Sequence, residues 1–411
     1  MSNDDRRVLP TRRTVLKSAV AGMATIAAGG AYAASAQPAS AATFVHPGML
    51  HTSVDINRMA TQVAAGAQPY LAGWNRLTAN AHAANTWKAT PLAIVYRGSG
   101  TPENYATLYN DIAAAYQNAL RYRVTGITAY GNCARDILNA WSATLTKVDG
   151  TADKFIASGI YGYQFANAAE LIRDFSGFDL ARFQTTMKNV FYPVCHDFLV
   201  NHNGAFVTNY WASWDLCNTA AILAISILCD DQAKVDEALN YYKNGAGNGS
   251  INHAIPYVYA DQGLAQWQES GRDQGHTMLG IGLMATICEM AWNQGIDLYG
   301  YGDNRFLKAA EYTAKYNTGG TVPFTTYTWV YGQPNVWGGT QTFTVISTAN
   351  RGEARPIWEM IYNHYARRRG LNVPNVAAIA ATVRPEGGGG DYGPNSGGYD
   401  HLGFGTLANT R

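Results

Sequence analysis

Charged residues are scarce in this sequence, since lysine, arginine, aspartate and glutamate together make up 14% of its 411 residues. The formal net charge at pH 7 is only +1. Binding to nucleic acid or to an anionic membrane through a general electrostatic field requires a large positive excess. We therefore expect neither partner, although a near-neutral protein can still bind a polyanion at a local positive site.

Cysteine is also scarce, and its five residues are Cys133, Cys195, Cys217, Cys229 and Cys288. Five cysteines are too few to build a disulfide scaffold, and an odd number leaves at least one thiol free. No two of them have the Cys-x-x-Cys spacing, and the histidines do not stand at ligand spacing with carboxylates. We therefore expect small core residues, no metal site and no cofactor.

Long apolar runs are absent as well. The stretch over residues 18–34 is too short and too rich in alanine for a stable membrane span. It follows the twin-arginine pattern Thr11-Arg12-Arg13-Thr14-Val15-Leu16-Lys17 and precedes the small residues Ala39-Ser40-Ala41. We interpret residues 1–42 as a twin-arginine signal peptide, which predicts a secreted or periplasmic protein with a single domain over residues 43–411. The alternative is an amphipathic or disordered N-terminal arm.

Helical periodicity is what the sequence has in abundance. Apolar residues recur with a period near 3.6 over residues 54–83, 103–122, 132–146, 159–174, 180–201, 211–228, 231–244, 303–316 and 355–369. The connections are short, and strands do not alternate with helices. The pattern is typical of antiparallel helical hairpins packed as a bundle, a solenoid or a closed toroid. The lack of a fixed internal repeat makes the solenoid the weakest of the three.

Residues 318–350 depart from this pattern. They are rich in threonine, tyrosine, tryptophan, glycine and proline, and they contain β-favouring runs over 325–331 and 340–346. A connection of this length in a compact domain is usually functional or disordered, and the aromatic clusters argue against disorder. We therefore expect a long, irregular, aromatic-rich and partly extended loop near the C-terminus.

One polar group stands out before an apolar helical segment that ends near residue 292. Glu269, Arg272, Asp273 and His276 are spaced at i, i+3, i+4 and i+7, so they share one face if the segment is helical. A buried helix with such a start either lines a site or carries an internal network. In the second case Arg272 pairs locally with Glu269, and His276 is a satisfied core histidine.

Three strings in chain order carry a resemblance to a known family. They are Tyr210-Trp211-Ala212-Ser213-Trp214-Asp215, Glu269-Ser270-Gly271-Arg272-Asp273-Gln274-Gly275-His276-Thr277, and Arg351-Gly352-Glu353-Ala354-Arg355-Pro356-Ile357-Trp358-Glu359-Met360-Ile361-Tyr362-Asn363-His364-Tyr365. Together they resemble the alginate-lyase superfamily, and most closely its helical-toroid glucuronan and alginate lyases (polysaccharide lyase family 38-like). The resemblance implies an all-α fold, an (α/α) toroid or barrel of six to seven helical hairpins. It also implies a polysaccharide lyase that cleaves a 4-linked uronic-acid polymer, glucuronan or alginate, by β-elimination.

The sequence departs from the classical alginate lyases at one place. Those enzymes have an Asn-His pair just before the Tyr-Trp string, where this chain has Val207-Thr208. The resemblance to the glucuronan-lyase-like group therefore points to His276 as the imidazole of the site. Asn209 or Asn218 would supply the amide.

A lyase of this kind must neutralise the substrate carboxylate, remove the proton at C5 and expel the oxygen at C4. Arginine suits the planar carboxylate because its donors form a fork. We expect His276 to act as the base or to help neutralise the acid. Glu269 and Arg272 would form the lip of the site, and Asp273 would orient Arg272 or His276.

The tyrosine that would act as acid and base has two candidates. Tyr331 lies in the aromatic segment, and Tyr362 lies seven residues after Arg355 on a predicted helix that also carries Glu359. We favour Tyr331, with Arg355 in the carboxylate clamp at the N-terminal end of that helix, where free backbone N–H groups would also meet the anion.

Five tryptophans are candidate platforms for stacking on sugar rings, and we expect at least two of them to be core residues: Trp211, Trp214, Trp267, Trp329 and Trp337. The rival functions are a glycoside hydrolase on a similar toroid and a non-catalytic glycan-binding protein. A hydrolase needs two carboxylates across the scissile bond, and Glu269 and Asp273 are only one helical turn apart. The sequence makes no prediction about oligomeric state.

Overall fold

The structure, a computed structural model, describes residues 43–98, 102–393 and 398–411. The predicted signal peptide, residues 1–42, lies outside these ranges and remains a prediction. The described part of the chain is mostly helical, which confirms the predicted fold class. No helix within it has the length and apolarity needed to cross a membrane.

The helices and strands are numbered here in chain order. The α-helices are α1 Ser53–Ala64, α2 Tyr70–Ala79, α3 Tyr105–Thr125, α4 Thr128–Thr144, α5 Asp153–Leu171, α6 Leu180–Thr186, α7 Tyr192–Asn201, α8 Ala212–Leu228, α9 Gln232–Asn244, α10 Ile251–Ala254, α11 Gln274–Asn293, α12 Tyr301–Asn317, α13 Trp358–Tyr362, α14 Pro374–Val383 and α15 Gly405–Ala408. The π-helical turns Met187–Phe191 and Asn363–Arg368 continue α6 and α13. The strands are β1 Ile94–Arg97, β2 Lys147–Gly150, β3 Tyr257–Tyr259, β4 Leu264–Gln266, β5 Tyr327–Gln333 and β6 Trp337–Phe343.

Four helices, α3, α5, α8 and α11, form the inner layer of the fold. Nearly every residue of α5, α8 and α11 is buried, because these helices are apolar on all sides. Helix α5 packs against α3 and α8, and α8 packs against α11. The outer layer consists of α4 against α3, α7 and α9 against α8, and α12 against α11.

The inner layer curves into a ring that is closed by the ends of the chain. Helix α13 packs against α11, the C-terminal α15 packs against α13, α1 and α2, and α1 packs against α3. The four-residue α15 therefore connects α13, and through it α11, to the first helices of the chain. This arrangement of paired helices around a central axis is the one expected for a toroid.

The first described residues seal one end of the ring. His46 contacts both Glu170, at the end of α5, and Asp230, just after α8. Asn293, the last residue of α11, donates to the carbonyl of Met49. The C-terminal ends of the inner helices are thus covered by the chain itself, and their N-terminal ends meet at the opposite, open end.

Several predicted boundaries are wrong. The segment predicted as one helix over 54–83 is two helices, because the chain turns at Gly66, which has a φ of +68°, and at Pro69, which lacks a backbone N–H. The central helix begins at Gln274 rather than near Glu269, since the carboxylate of Asp273 accepts from the backbone N–H of His276 and caps it.

The short strands are elements that periodicity does not reveal. Strands β1 and β2 form a parallel pair, and β3 and β4 form an antiparallel pair. The extended segment expected near the C-terminus is the antiparallel hairpin of β5 and β6, in which Tyr331 pairs with Gly339. Helix α14 was also not predicted.

The close packing of α5 on α8 generates a stability prediction. A Cβ atom at Gly159 would lie 2.4 Å from the Sγ of Cys217 and 2.8 Å from the backbone nitrogen of Asn218, so Gly159→Ala must push two inner helices apart. We expect it to lower the free energy of unfolding by about 1–3 kcal/mol, measured by urea denaturation.

The matched control is Gly162→Ala, one turn further along the same helix, where the nearest atom to the new Cβ is the Ala221 side chain at 3.2 Å. We expect this variant to be clearly more stable than Gly159→Ala. Equal stability of the two variants would show that the contact at Gly159 does not limit the approach of the helices.

Candidate active site

A cleft of about 480 Å³ opens at the end of the ring where the inner helices begin. This volume is within the range of ligand-binding pockets. The residues that line it come from β1, α5, α8, α11 and the turn before it, the segment before α13, and the segment between α14 and α15. They are Arg97, Asp153, Ile156, Ile160, Ser213, Trp214, Arg272, Gly275, His276, Leu279, Asn350, Arg355 and Asp400.

The direction of the inner helices makes this end of the ring favourable for an anion. Asp153 is the first residue of α5, Ser213 lies in the first turn of α8, and Gly275 lies in the first turn of α11. The first N–H groups of a helix lack intrahelical acceptors, and the helix dipole places partial positive charge there. Several helix N-termini directed at one cleft therefore favour a negatively charged ligand.

His276 is oriented by contacts at both of its ring nitrogens. Its Nδ1 lies 2.7 Å from the carboxylate of Asp273, and its Nε2 lies 3.2 Å from a terminal nitrogen of Arg272. A guanidinium only donates hydrogen bonds, so Nε2 is the acceptor in this contact, and the tautomer with its proton on Nδ1 satisfies both neighbours. The imidazole, with 45% of its side chain exposed, therefore presents the lone pair of Nε2 at the wall of the cleft.

Asp273 both caps α11 and holds the His276 ring. One of its oxygens accepts the backbone N–H of His276 at 2.7 Å and caps α11, while the other accepts from the His276 ring. Burial acts to raise the pKa of Asp273, but these hydrogen bonds and the nearby Arg272 outweigh it and hold the pKa below its ordinary value. The carboxylate is therefore ionised near neutral pH, as its expected role in orienting Arg272 or His276 requires.

Arg272 is fixed from three sides. It donates to Glu269 at 2.9 Å, contacts His276, and lies over the ring of Trp211 at 5.0 Å. Glu269 is completely buried, and burial raises its pKa although Arg272 opposes the shift. The predicted cluster of these residues is therefore present, but Glu269 supports Arg272 from behind and does not line the cleft.

Arg355 enters the cleft from a segment that is not helical. The predicted helix begins only at Trp358, and Arg355 instead pairs with Asp400 at 2.9 Å. The backbone N–H groups expected to meet a substrate carboxylate at this helix start donate to the buried Glu386. Arg355 thus lies in the cleft as predicted, but without the helix N-terminus expected beside it.

Neither predicted tyrosine lines the cleft. Tyr331 lies on β5, where its ring packs between Trp329 and Trp337. Tyr362 lies at the end of α13 beside the guanidinium groups of Arg367 and Arg384. Tyr362 and Arg355 therefore do not share a helix face, which corrects that part of the prediction.

The predicted amides also lie elsewhere. The side-chain oxygen of Asn209 accepts the backbone N–H of Gly332 at 2.7 Å and so anchors the hairpin. Asn218 is buried in α8 and donates to the carbonyl of Trp214. The amide that lines the cleft is Asn350, whose segment is tied to the start of α11 because the N–H of Gln274 donates to the carbonyl of Ala349.

Of the candidate platforms, Trp214 lines the cleft. Trp267 is a fully buried core residue, and Trp211 is buried and stacks on Trp329. Trp337 is 54% exposed at the tip of the hairpin. Two of the five are therefore buried, as expected.

Sequence reasoning missed Arg97, Asn350 and Asp400. Arg97 ends β1, and the β-favouring run Ile94-Val95-Tyr96 before a glycine was a usable sign of a strand end. Asn350 adopts a φ of +57°, which asparagine tolerates better than most residues, and it precedes Arg351-Gly352. Asp400 carries no local signal of its own.

The sequence and fold match known proteins consistently. The family model described as alginate lyase matches residues 64–324, which is more than half of the chain. The chain belongs to the alginate lyase family. It is therefore a polysaccharide lyase. No curated protein matches the sequence at a significant level.

Solved structures of alginate lyases share the fold of this lyase. Alginate lyase A1-III from Sphingomonas species A1 matches with a TM-score of 0.54 at 14% identity, over 90% of this chain and 98% of that one. An alginate lyase from Bacteroides ovatus matches with a TM-score of 0.52 at 13% identity, over 88% and 99% of the two chains. A variant of A1-III complexed with a tetrasaccharide matches with a TM-score of 0.53 at 16% identity, over 87% and 95%. Together with the closed ring of helices, these likenesses confirm the predicted (α/α) toroid.

The double role of Asp273 generates a prediction in which stability and activity separate. Asp273→Ala removes both the cap and the partner of the imidazole, so we expect it to lower the free energy of unfolding by about 0.5–2 kcal/mol and also to lower turnover. Asp273→Asn keeps a good capping residue but loses the charge. We expect nearly unchanged stability and a kcat lower by about ten-fold or more, measured by thermal unfolding and by lyase assay.

Full turnover by Asp273→Asn would contradict the role assigned to the carboxylate, because that variant differs mainly in charge. Equal loss of stability in the two variants would show instead that the cap depends on the ionised carboxylate.

Proposed function

We propose that this lyase cleaves a 4-linked uronic-acid polymer, glucuronan or alginate, by β-elimination in the cleft at the open end of the ring. The observation that carries the proposal is the contact of the His276 imidazole with the guanidinium of Arg272 at 3.2 Å. β-Elimination next to a carboxylate needs a base and a cation within reach of neighbouring substrate atoms, and this pair supplies both.

Neutralisation of the substrate carboxylate falls to Arg272, Arg355 and Asn350. The C5 proton is only weakly acidic while the neighbouring carboxylate keeps its full negative charge. Hydrogen bonds and positive charge at the carboxylate stabilise the enolate-like state that forms when this proton leaves. Arg272 and Arg355 offer fork-shaped donor groups, and Asn350 offers an amide at the start of α11. The N-termini of the inner helices add partial positive charge to the same place.

His276 is the proposed base. The Nε2 lone pair of its imidazole accepts a hydrogen bond from Arg272. A substrate carboxylate that binds Arg272 competes for that donor and releases the lone pair of Nε2. Binding of the charged sugar thus activates the base. Asp273, on the other side of the ring, stabilises the imidazolium that forms.

The proton on His276 can then pass to the leaving oxygen at C4. Imidazole both takes and gives a proton near neutral pH, and neither predicted tyrosine lines the cleft. One group can serve both steps only when the C5 proton and the C4 oxygen lie on the same face of the sugar ring. Glucuronate and mannuronate have this arrangement and guluronate does not, so we propose glucuronan or mannuronate-rich alginate as the substrate.

The site gives less support to hydrolysis. Glu269 is buried behind Arg272, and Asp273 is engaged by His276, so this pair of carboxylates does not face a substrate across a bond. The site of action proposed for the enzyme is outside the cytoplasm, on the basis of the twin-arginine pattern in residues 1–42.

The test is ultraviolet absorbance of the mature protein mixed in turn with glucuronan, polymannuronate and polyguluronate in the presence of a chelator. β-Elimination leaves a C4–C5 double bond conjugated to the carboxylate, which absorbs. We expect a rising signal with glucuronan or polymannuronate and little or none with polyguluronate. We also expect His276→Ala to lower the initial rate by about 10²- to 10⁴-fold.

The matched control for His276→Ala is His196→Ala, because His196 is an exposed histidine on α7 that also pairs with a carboxylate, Glu237, but does not line the cleft. An equal loss of activity in both variants would show that the effect of His276→Ala is not specific to the cleft, and it would contradict the role of His276 as the base. A preference for polyguluronate would contradict the single acid–base group, and new reducing ends without absorbance would contradict β-elimination.

A further inference from the structure

Three arginines line the cleft, and two of them already have a carboxylate partner within the protein. Arg272 pairs with Glu269 at 2.9 Å, and Arg355 pairs with Asp400 at 2.9 Å. Arg97 differs, because within the described residues no carboxylate lies at ion-pair distance from its guanidinium. Its one direct hydrogen bond is from a terminal nitrogen to the hydroxyl of Tyr161, at 3.3 Å.

The surrounding structure holds Arg97 in a defined position. It ends β1, which pairs in parallel with β2, and its guanidinium lies over the ring of Tyr105 at 4.8 Å and near that of Tyr161 at 5.9 Å. Tyr161 is buried in α5, and Tyr105 begins α3. Stacking on aromatic rings holds a guanidinium in place without neutralising it, and most of its five N–H donors stay available.

Arg97 also lies on a different wall of the cleft from Arg272. Arg97 rests on α3 and α5, whereas Arg272 precedes α11 and packs on Trp211 at the start of α8. Asp400 and Asp153 act on Arg97 electrostatically, but Asp400 is held by Arg355, and no described ion pair joins Asp153 to Arg97. On the wall formed by α3 and α5, the guanidinium of Arg97 therefore has no ion-pair partner among the described carboxylates.

From this arrangement we infer that Arg97 binds the carboxylate of the uronate residue next to the one that reacts. This inference rests on the proposed function, and it adds a second carboxylate-binding position, which requires a polymer with carboxylates on neighbouring residues. In such a polymer one carboxylate meets Arg272, Arg355 and Asn350, and the adjacent one meets Arg97. A polymer in which uronates alternate with neutral sugars would leave Arg97 unpaired.

The test uses the His276→Ala protein, so that ligands are not consumed, and a saturated uronate trisaccharide from whichever polymer the wild-type enzyme degrades. We expect Arg97→Gln to weaken binding of the trisaccharide by about 10- to 100-fold in calorimetry, because a hydrogen bond to a charged group is lost. Binding of the corresponding monomeric methyl uronoside should stay unchanged. In the enzyme with His276 intact, Arg97→Gln should raise KM for the polymer and leave kcat nearly unchanged.

The matched control is Arg123→Gln. Arg123 lies on α3 as well, 18 residues after Tyr105, which is about 27 Å along a helix that rises 1.5 Å per residue, and it pairs with Asp174. This variant should bind the trisaccharide as the parent does. Arg97→Lys, which keeps the charge but loses the fork, should fall between the parent and Arg97→Gln.

The outcomes separate this inference from the proposed function. Absence of absorbance with every polymer in the wild-type enzyme would overturn the proposed function itself. Turnover by the wild-type enzyme, together with equal trisaccharide binding by Arg97→Gln and its parent, would overturn only the role of Arg97. Equal weakening of monomer and trisaccharide would also overturn it, since Arg97 would then serve the reacting residue.

Discussion

The site depends on the shared direction of the inner helices. Because α3, α5, α8 and α11 all begin at one end of the ring, the segments that precede them converge there and bring distant parts of the chain together. Partial positive charge from the helix N-termini accumulates at the same end. The opposite end is covered by the first described residues, among them His46, which binds Glu170 and Asp230. The common direction of the inner helices thus places their N-termini at the open end of the ring, and this end therefore favours a negatively charged ligand.

The protein neutralises most of its own cleft before a substrate arrives. Glu269 and Asp400 each pair with an arginine, so the charges of Arg272 and Arg355 are already balanced within the protein. This arrangement keeps the arginines ordered, which reduces the entropy lost on binding. It also means that a substrate carboxylate gains less at Arg272 and Arg355 than at a bare cation. The difference makes Arg97, which has no ion-pair partner among the described carboxylates, the most valuable of the three arginines for affinity.

The sequence predicted most of the helices because they are long apolar segments separated by turn residues. It predicted the cluster around His276 because its members are close in the chain. Boundaries failed where a single residue decides the outcome, as Asp273 does for the start of α11. The long-range partners could not be predicted, since the pairing of Arg355 with Asp400 joins residues that are 45 positions apart. Arg97 lies in the cleft because it ends β1, a four-residue strand that pairs in parallel with β2. A strand of this length is too short to be recognised as a periodic pattern in the sequence.

Glu269, Arg272, Asp273 and His276 do lie together, but for a reason other than the helix face that suggested it. A capping carboxylate accepts the N–H three residues ahead, so Asp273 fixes His276 in the first turn, and the imidazole folds back on the same carboxylate. Arg272, just before the cap, then reaches both the ring and Glu269 in the preceding 3₁₀ turn. Capping therefore imposes the spacing that the chemistry needs. A change that shifts the start of α11 by one residue must disturb the base, its orienting carboxylate and the nearest cation together, so the boundary of this helix is itself part of the active site.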